Sequence, residues 1–288
     1  MLPVINTPRT NTYIIDTSGG TEIARLMNQS QLLTRSMGGV FPELADELAN
    51  MHSILDLACG PGGWVLDAAY AYPTAEVVGI DIDTSLLQYA RAHAWAQGLE
   101  NATFQDMDIT RPLAFPDHSV DLVNARFLFG VLHKNAWTPL VAECLRILRP
   151  GGILRLTEME KPICNAPAGE QMSALLAQAL FQAGRSFSPD GCSIGITPLL
   201  GKFLRDAGYE RIEQKPHTLE FSAVTRLHFA FCENGLVGAQ LLKPFYLSMN
   251  TITEEAFEAL YQQVSIEILS DDFCGLWPIH SAWGRKRL

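Results

Sequence analysis

The sequence predicts an α/β fold built on a doubly wound, mostly parallel sheet, and two features of the chain carry this prediction. The stretch from Ser53 to Asp83 has the pattern of a strand, a glycine-rich turn, a helix and a second strand that ends in acidic residues. This pattern is half of a nucleotide-binding βαβ unit. Apolar, strand-like segments then alternate with amphipathic, helix-like segments along the rest of the chain. A length of 288 residues suits one such domain with added segments better than two independent domains.

The first βαβ unit is defined residue by residue. Ile54, Leu55 and Leu57 form a short apolar run that suits a strand buried on both faces. Gly60 to Gly63 end this strand, since glycines permit a sharp turn and let a ligand approach the main chain. The next helix, Trp64 to Tyr72, presents its N-terminal amides at the same place. The second strand ends at Asp81, whose carboxylate is placed to accept both hydroxyl hydrogens of a ribose.

The residue before the glycine turn discriminates between two ligands. Such a turn serves either a dinucleotide or S-adenosylmethionine (SAM). Dinucleotide folds usually lead into the turn with an apolar strand, because two phosphates must lie on the helix amides. Here Asp56 precedes the turn, and its carboxylate repels a pyrophosphate but attracts a ligand that carries an ammonium and a sulfonium. The sequence therefore favours SAM.

Two motifs resemble those of class I SAM-dependent methyltransferases. The run DLACGPG, from Asp56 to Gly62, resembles the first motif of this family, with Ala58 where a glycine is commoner. The passage from a helix through Arg149-Pro150-Gly151-Gly152 into an apolar strand resembles a second hallmark, which dinucleotide enzymes do not need. The similarity covers roughly residues 44 to 222 and the last strand. It is strongest to the small-molecule branch that includes ubiquinone/menaquinone-biosynthesis-type enzymes.

The resemblance implies how the elements are arranged. We expect seven strands, with the last one, Leu276 to Arg285, antiparallel and placed between the fifth and the sixth. Residues 1–50 are expected to form an N-terminal helical lid segment, and residues 51–288 the SAM-binding methyltransferase domain. Helical insertions are expected after strands five and six, at about 161–197 and 223–270. The insertions either shape an acceptor pocket or add to the core.

The remaining elements follow from periodicity and turn signals. Helices are predicted from Thr21 to Met37, Pro42 to Asn50, Thr84 to Gln97, Pro139 to Leu148, Met172 to Ala183, Pro198 to Ala207, Val224 to Leu242 and Glu254 to Leu269. Strands are predicted at Ala102 to Gln105, Val120 to Asn124, Ile153 to Thr157 and from Gly208 towards Phe221.

The family resemblance assigns a set of cofactor-binding residues. Asp81 would hold the ribose, Asp108 with Ile109 the adenine, and the turn around Gly60 the methionyl part, with Asp56 near its ammonium. Asp106 is the alternative adenine partner. The end of the fourth strand faces the same crevice, because parallel strands point their carboxyl ends one way. The predicted set is Asp56, Ala58, Cys59, Gly60, Gly62, Asp81, Ile82, Asp108, Ile109, Asn124 and Arg126.

Catalytic residues are not assigned by any motif. His133 is a weak candidate for a general base, or a surface histidine at the end of a helix. Glu158 is a second weak candidate, which either touches an acceptor or is solvated. Arg126 lies in an apolar stretch and needs a partner, either the carboxylate of SAM or one from the protein. In-line methyl transfer depends mainly on holding donor and acceptor collinear, so it needs little else from the protein.

Composition limits the partners of this chain. A net charge of −10 and a pI near 5.1 argue against nucleic acid, and Arg285-Lys286-Arg287 is a short basic cluster at the terminus. The sequence has no apolar run long enough for a membrane helix and no signal peptide at its start, so we expect a cytoplasmic protein. The six cysteines show no metal-ligand spacing, so we predict no metal and expect them to be small buried residues.

The acceptor is not identified by the sequence. We expect a small molecule methylated on oxygen, nitrogen or carbon, with SAM as cofactor and S-adenosylhomocysteine (SAH) as its product. Alternatives are a SAM-fold enzyme that catalyses a step other than methylation, or a binding or partner module that is not an enzyme. A nicotinamide oxidoreductase is a more distant alternative. A homodimer through the insertions is compatible with the sequence, which does not show it.

Overall fold

A computed structural model describes residues 11–17, 19–44 and 51–288. In these ranges eight strands form one sheet, in the order β3-β2-β1-β4-β5-β8-β6, with β7 also paired to β8. The strands are β1 (Ser53–Leu57), β2 (Glu76–Asp81), β3 (Ala102–Asp106), β4 (Val120–Arg126), β5 (Leu148–Met159), β6 (Ile163–Cys164), β7 (Glu210–Glu220) and β8 (Gly275–Arg285).

The topology of the last strand is confirmed, whereas the strand count differs by one. β8 pairs antiparallel with both β5 and β7, the fifth and sixth strands of the sequence analysis. The additional strand is β6, a two-residue pairing in which Ile163 lies opposite Leu276. It follows β5 along the same edge of β8. So short a strand carries no periodicity, and the sequence therefore gives no signal for it.

Eight α-helices flank the sheet within the described ranges. They are α1 (Gly20–Ser36), α2 (Gly63–Ala71), α3 (Thr84–Ala96), α4 (Trp137–Ile147), α5 (Pro167–Gln182), α6 (Leu200–Ala207), α7 (His228–Ser248) and α8 (Glu254–Glu267). Short 3₁₀ turns occur at Leu128–Gly130, Lys134–Ala136 and Thr197–Leu199. No helix in the ranges given above has both the length and the apolar character needed to cross a membrane.

Two predicted helix boundaries were wrong for identifiable reasons. Helix α5 starts at Pro167 rather than at Met172, because proline fits the first turn of a helix, where its missing N–H costs nothing. Helix α7 starts at His228, later than predicted, because the residues before it form turns, in which Thr225 donates its N–H to the Ser222 carbonyl and His228 donates to the Thr225 carbonyl. It also ends later than the predicted Leu242 and contains Pro244.

Three further predictions concern the helix before β1, the division into domains and the cysteines. Most of the helix predicted from Pro42 to Asn50 lies outside the described residues, and Pro42 to Leu44 form a turn. The division into a lid segment and a methyltransferase domain stays a prediction. The expectation that every cysteine is buried was wrong, since Cys192 and Cys274 are exposed on turns.

Both faces of the sheet are covered by apolar packing. Adjacent strand residues point to opposite faces, so Ile54 joins the cluster under α2 and α3, while Leu55 joins the cluster under α4 and α6. Both side chains are almost completely buried. Helices α5, α7 and α8, here called the helical cap, contain two further apolar clusters of their own. The cap lies beside the carboxyl ends of the parallel strands, next to the cavity described below.

Candidate active site

A cavity of about 400 Å³ lies at the carboxyl edge of the parallel strands. Residues 11–17, helix α1 and the helical cap form its other walls. The residues that line the cavity fall into two groups, one with charged side chains and one without. The lining residues between Asp56 and Arg126, here called the polar half, include five charged side chains. The lining residues from Phe127 to Trp277, here called the apolar half, include no charged side chain among the described residues.

The glycine turn of the polar half has the backbone shape that a ligand cradle requires. Ala58, Gly60 and Gly62 all have positive φ values, of 49°, 56° and 82°. Ala58 therefore occupies a left-handed position, which explains why glycine is commoner there in the resembled family. Ala58, Cys59 and Gly60 line the cavity. Gly62 does not line it, because it faces inward, where an added Cβ would lie 2.7 Å from the ring of Phe104.

Asp81 connects the glycine turn to the end of β2. Its carboxylate accepts the Gly60 N–H at 2.8 Å and the Asp83 N–H at 2.9 Å, and it lines the cavity together with Ile82. Burial raises the pKa of this carboxyl above its usual value, and the backbone amides of Asp83, Gly60 and Ile82 oppose that shift. A carboxylate has about four acceptor positions, so two hydrogen bonds leave capacity for a diol.

Asp83 attaches the N-terminal segment to the polar half. Its Oδ1 caps α3 by accepting the N–H groups of Ser85 and Leu86. Its Oδ2 accepts the Thr17 hydroxyl and, at 3.5 Å, the Asn11 amide. These hydrogen bonds lower the pKa of the Asp83 carboxyl, although burial opposes them as the largest single influence. The segment from residue 11 to 17 is thus held across the cavity beside Asp81.

Asp56 is the most buried carboxylate of the polar half. It lines the cavity with 4 % of its surface exposed, and burial raises its pKa to about 7, against the opposing effects of Arg126 and Asn124. Asn124 does not line the cavity and instead donates its Nδ2 to Asp56 Oδ1 at 2.8 Å. It was predicted to contact the cofactor, and the structure places it behind Asp56.

Arg126 lines the cavity and is bound to α1. Its Nη2 donates to the Ser30 hydroxyl at 2.9 Å and its Nη1 to the Thr34 hydroxyl at 3.3 Å. Burial lowers the pKa of this guanidinium to about 10, while the nearby carboxylates of Asp56 and Asp67 oppose the shift. The direct partners of Arg126 are therefore hydroxyl groups, and the carboxylates act on it only through their charge.

The end of β3 distinguishes the two adenine candidates. Asp108 and Ile109 line the cavity, whereas Asp106 does not. The carboxylate of Asp108 accepts the N–H of Thr110 at 2.9 Å and its hydroxyl at 2.6 Å, and it pairs with Arg111 at 3.2 Å. The geometry therefore favours Asp108 as the residue next to an adenine ring.

The two weak catalytic candidates lie away from the cavity. His133 is exposed and is not a lining residue. Glu158 is 1 % exposed and accepts the N–H of Leu128 at 2.6 Å, so it supports the loop after β4 from beneath. Burial holds the pKa of Glu158 well above its usual range, with the backbone hydrogen bonds opposing it. The structure brings neither of them to the cavity.

Sequence reasoning predicted an N-terminal lid segment but missed the contacts through which residues 11–17 join the cavity. The Tyr13 hydroxyl donates to Glu22 at 2.8 Å, and Arg25 makes two short bonds to the same carboxylate. Asn234 of α7 then donates to the Arg25 carbonyl at 2.9 Å. This network joins the segment, α1 and the helical cap across the cavity. Residues 11–17 carry no periodicity, so no sequence signal predicts their position.

The apolar half is built by segments that are far apart in the sequence. Phe127, at the end of β4, has a φ of 57°, a strained left-handed conformation of the kind that clusters at functional sites. Polar groups are few in this half. The apolar half is lined by Phe127, Phe129, Val131, Met159, Pro162, Met172, Leu176, Phe221, Phe231, Leu236, Ala239, Leu242, Val264, Ile268, Phe273 and Trp277, by four glycines, and by the polar Cys164, Ser173, Cys232, Asn234 and Tyr246.

The sequence of this chain is similar to those of known methyltransferases. A family model described as a methyltransferase domain matches residues 54–152. The chain is 31% identical over 185 residues to a ubiquinone/menaquinone biosynthesis C-methyltransferase of Pseudomonas aeruginosa, a match that covers 62% of this chain and 63% of that protein. It is 27% identical over 184 residues to a demethylmenaquinone methyltransferase of Listeria monocytogenes, which covers 64% of this chain and 69% of that protein.

The fold itself matches solved structures. A putative methyltransferase from Bacillus halodurans superimposes with a TM-score of 0.53 at 20% identity, covering 85% of this chain and 99% of that chain. At this identity the likeness shows the fold alone. The matched region spans about 63% of the length of the Pseudomonas protein.

A methyltransferase-domain model matches residues 54–152, and the sheet has the strand order expected for the class I, SAM-dependent fold, so this region resembles such a domain, as the motifs predicted. Within that class the chain resembles the ubiquinone/menaquinone-biosynthesis-type enzymes, which confirms the resemblance drawn from the sequence.

Proposed function

We propose that this protein transfers the methyl group of SAM to a small, largely apolar acceptor. The observation that carries the proposal is the division of the cavity. The charged lining side chains belong to the polar half and to α1, whereas the apolar half has none among the described residues. One end of the cavity thus suits a charged, ribose-bearing cofactor, and the other suits an uncharged molecule.

The residues of the polar half fit SAM. Asp81 has acceptor capacity left for the ribose, and Asp108 with Ile109 lies where an adenine ring would bind. The open, left-handed turn from Ala58 to Gly60 leaves the main chain accessible to the methionyl part. Asp56 offers a carboxylate to the ammonium. When bound, SAM supplies a methyl group that its sulfonium already makes electrophilic.

The protein then contributes position and the exclusion of water. Residues 11–17 lie across the cavity, and both ends of this segment, Asn11 and Thr17, are hydrogen-bonded to Asp83. In the middle of the segment, Ile14 donates its N–H to the Gly130 carbonyl at 3.2 Å. Holding donor and nucleophile in line contributes about 7–11 kcal/mol in well-oriented reactions. No general base is assigned to this chain.

The apolar half narrows the class of acceptor. Burying a charged or strongly polar group without a partner is costly, so a phosphorylated or zwitterionic acceptor is disfavoured. An aromatic or quinol ring is compatible with walls that include Phe127, Phe129 and Trp277. Because the matched relatives are named for quinone biosynthesis, a ring carbon of a hydroquinone is the proposed nucleophile.

The experiment is a substrate panel with product analysis. The protein is incubated with SAM and a short-chain benzoquinol, a naphthoquinol, catechol or phosphoethanolamine, and SAH and the organic products are both quantified. We expect SAH in equal amount to a product that has gained one CH2 unit, with the quinols and not with phosphoethanolamine. Conversion of an acceptor without SAH would favour a step other than methylation. SAH binding without any turnover across the panel would favour a binding or partner module.

Cellular location and assembly stay predictions. The cytoplasmic location, the lack of nucleic-acid binding and the possible homodimer are expectations from the sequence. Size-exclusion chromatography with light scattering would test the dimer.

A further inference from the structure

A row of buried polar side chains crosses three neighbouring strands behind the cavity. Asp56 of β1 lies opposite Asn124 of β4, and Asn124 lies opposite Arg155 of β5. The three side chains are therefore lateral neighbours in the sheet. Arg155 and Asn124 are 1 % and 0 % exposed, and neither lines the cavity. Asp56 alone of the three does.

The hydrogen bonds of this row have a fixed direction. Arg155 Nη1 donates to Asn124 Oδ1 at 3.1 Å, and Asn124 Nδ2 donates to Asp56 Oδ1 at 2.8 Å. A guanidinium carries N–H donors and no acceptor. Arg155 therefore fixes the amide oxygen of Asn124 towards itself, and this leaves only the amide N–H group to face Asp56.

Arg155 is itself held in place from its other side. Its Nη2 and Nε donate to Glu43 Oε1 at 2.8 and 3.1 Å, in an ion pair whose side chains are 1% and 3% exposed. Glu43 lies in the turn that follows α1. Glu43 is thus the direct ion-pair partner of Arg155, so Arg155 does not need Asp56 as a contact partner, although Arg126 and Arg155 both act on the Asp56 carboxylate through their charge.

We propose that Arg155 and Asn124 are positioning residues that hold Asp56 Oδ1 and thereby present Asp56 Oδ2 to the ammonium group of SAM. This inference rests on the proposed function, because it assumes that SAM binds in the polar half. It predicts a selective defect. Removing the Asn124 side chain from the row should weaken the binding of ligands that carry the ammonium group. The binding of ligands that share only the adenosine part should not change.

The test compares two ligands on one variant. SAH carries the amino acid group, whereas 5′-methylthioadenosine has the same adenosine and thioether without it. Affinities for both are measured by calorimetry one pH unit above the pKa of about 7 of Asp56. We expect Asn124→Leu to weaken SAH binding about tenfold and to change 5′-methylthioadenosine binding less than about twofold, since a hydrogen bond to a charged group has roughly this effect.

A matched control lies two residues further along β5. Thr157 is 1 % exposed and shares a hydrogen bond with Ser281 at 2.9 Å; Ser281 also accepts Arg155 Nη2 at 3.4 Å, so Thr157→Val removes a hydrogen bond beside the row and leaves both bonds of Asn124 in place. Thr157→Val should leave both affinities unchanged within about twofold. If Asn124→Leu does not fold, Asn124→Ser breaks the row without adding bulk, and the same selective loss is expected.

The outcomes separate this inference from the proposed function. An equal loss of both ligands in the Asn124 variants would show that the row only supports the fold, and unchanged SAH affinity would show that it has no role. Either result overturns the inference. If the unmodified protein bound neither ligand, the proposed function itself would fail.

Discussion

The two halves of the cavity are constructed in different ways. The polar half is made by short contiguous segments at the ends of adjacent parallel strands, and main-chain groups provide much of its shape, as in the bonds from Gly60 and Asp83 to Asp81. The apolar half is made by side chains from Phe127 to Trp277, most of them in the helical cap or the loops beside it. Backbone turns need particular residues, whereas an apolar wall needs only bulk, so the two halves should respond differently to substitution.

The largest expected difference concerns Gly62, which shapes the turn of the polar half from behind, and Gly235, which lines the apolar half. Gly62→Ala places a Cβ at a positive φ and within 2.9 Å of Ala90 and Phe104, both buried. We expect a loss of about 2–5 kcal/mol in the free energy of unfolding, the sum of left-handed strain and overpacking. Gly235→Ala, in α7, meets nothing within 4 Å. It should stabilise the protein by up to about 1 kcal/mol. Urea denaturation of both variants measures the two changes in the free energy of unfolding. Equal changes would contradict the expected difference between the two glycines.

Removing the ribose acceptor should affect binding more than folding. Asp81→Ala is expected to weaken SAH binding by about 1.5–3 kcal/mol, or roughly tenfold to more than a hundredfold. The carboxylate also holds the Gly60 N–H, so the turn should loosen as well. Calorimetric titration measures the loss, and circular dichroism checks that the fold is retained. Unchanged affinity would show that Asp81 does not bind the cofactor.

A charge placed in the apolar half should impair binding of the acceptor and spare binding of the cofactor, the reverse of the effect expected for Asp81→Ala. Leu176 of α5 lines the cavity and is half-buried. In Leu176→Lys we expect the KM for the acceptor to rise about tenfold, since polar groups are costly in an apolar pocket. SAH affinity should stay within about twofold of the unmodified protein. Asp81→Ala should thus impair cofactor binding and Leu176→Lys acceptor binding. If either substitution weakened SAH binding and raised the acceptor KM to the same extent, the division of the cavity would be contradicted.

The smallest expected effect is a proton released on binding. Burial raises the pKa of Asp56 from 3.8 to about 7, so the folded protein retains this proton more tightly than the unfolded chain does. Asp56 therefore makes the fold less stable as the pH rises from about 4 to 7. A bound ammonium favours the carboxylate, so SAH binding near pH 7 should release part of a proton.

Calorimetry in phosphate and in Tris measures this release, because the buffers differ in ionisation enthalpy. Asp56→Asn, or 5′-methylthioadenosine in place of SAH, should show none. Equal heats in both buffers for the unmodified protein would indicate that Asp56 does not sense the ligand.

The sequence predicted the elements that build the polar half better than those that build the apolar half. The first βαβ unit was predicted correctly because its signals are local, and the antiparallel last strand because the family resemblance implied it. The cap of α3 by Asp83 was missed, although an aspartate directly before Thr84 and Ser85 is an ordinary start signal for a helix. Arg155 was also missed, although an arginine inside an apolar strand needs a buried partner.

Other features had no readable signal. The bond between Tyr13 and Glu22 joins a turn-rich segment to a helix through tertiary contact alone. The helical cap was predicted as two insertions, but periodicity does not indicate which faces turn towards a cavity. Phe229 is 74% exposed while Phe231 lines the apolar half, though both belong to the same aromatic pattern. Acceptor recognition therefore depends on packing that the sequence does not encode locally.

The most direct test of the account is a calorimetric titration of the unmodified protein with SAM, SAH and NAD. Asp56 and the turn after it should reject a pyrophosphate and accept an ammonium and a sulfonium. We therefore expect micromolar binding of SAM and SAH, with none of NAD. Binding of NAD, or of none of the three, would contradict the assignment of the polar half.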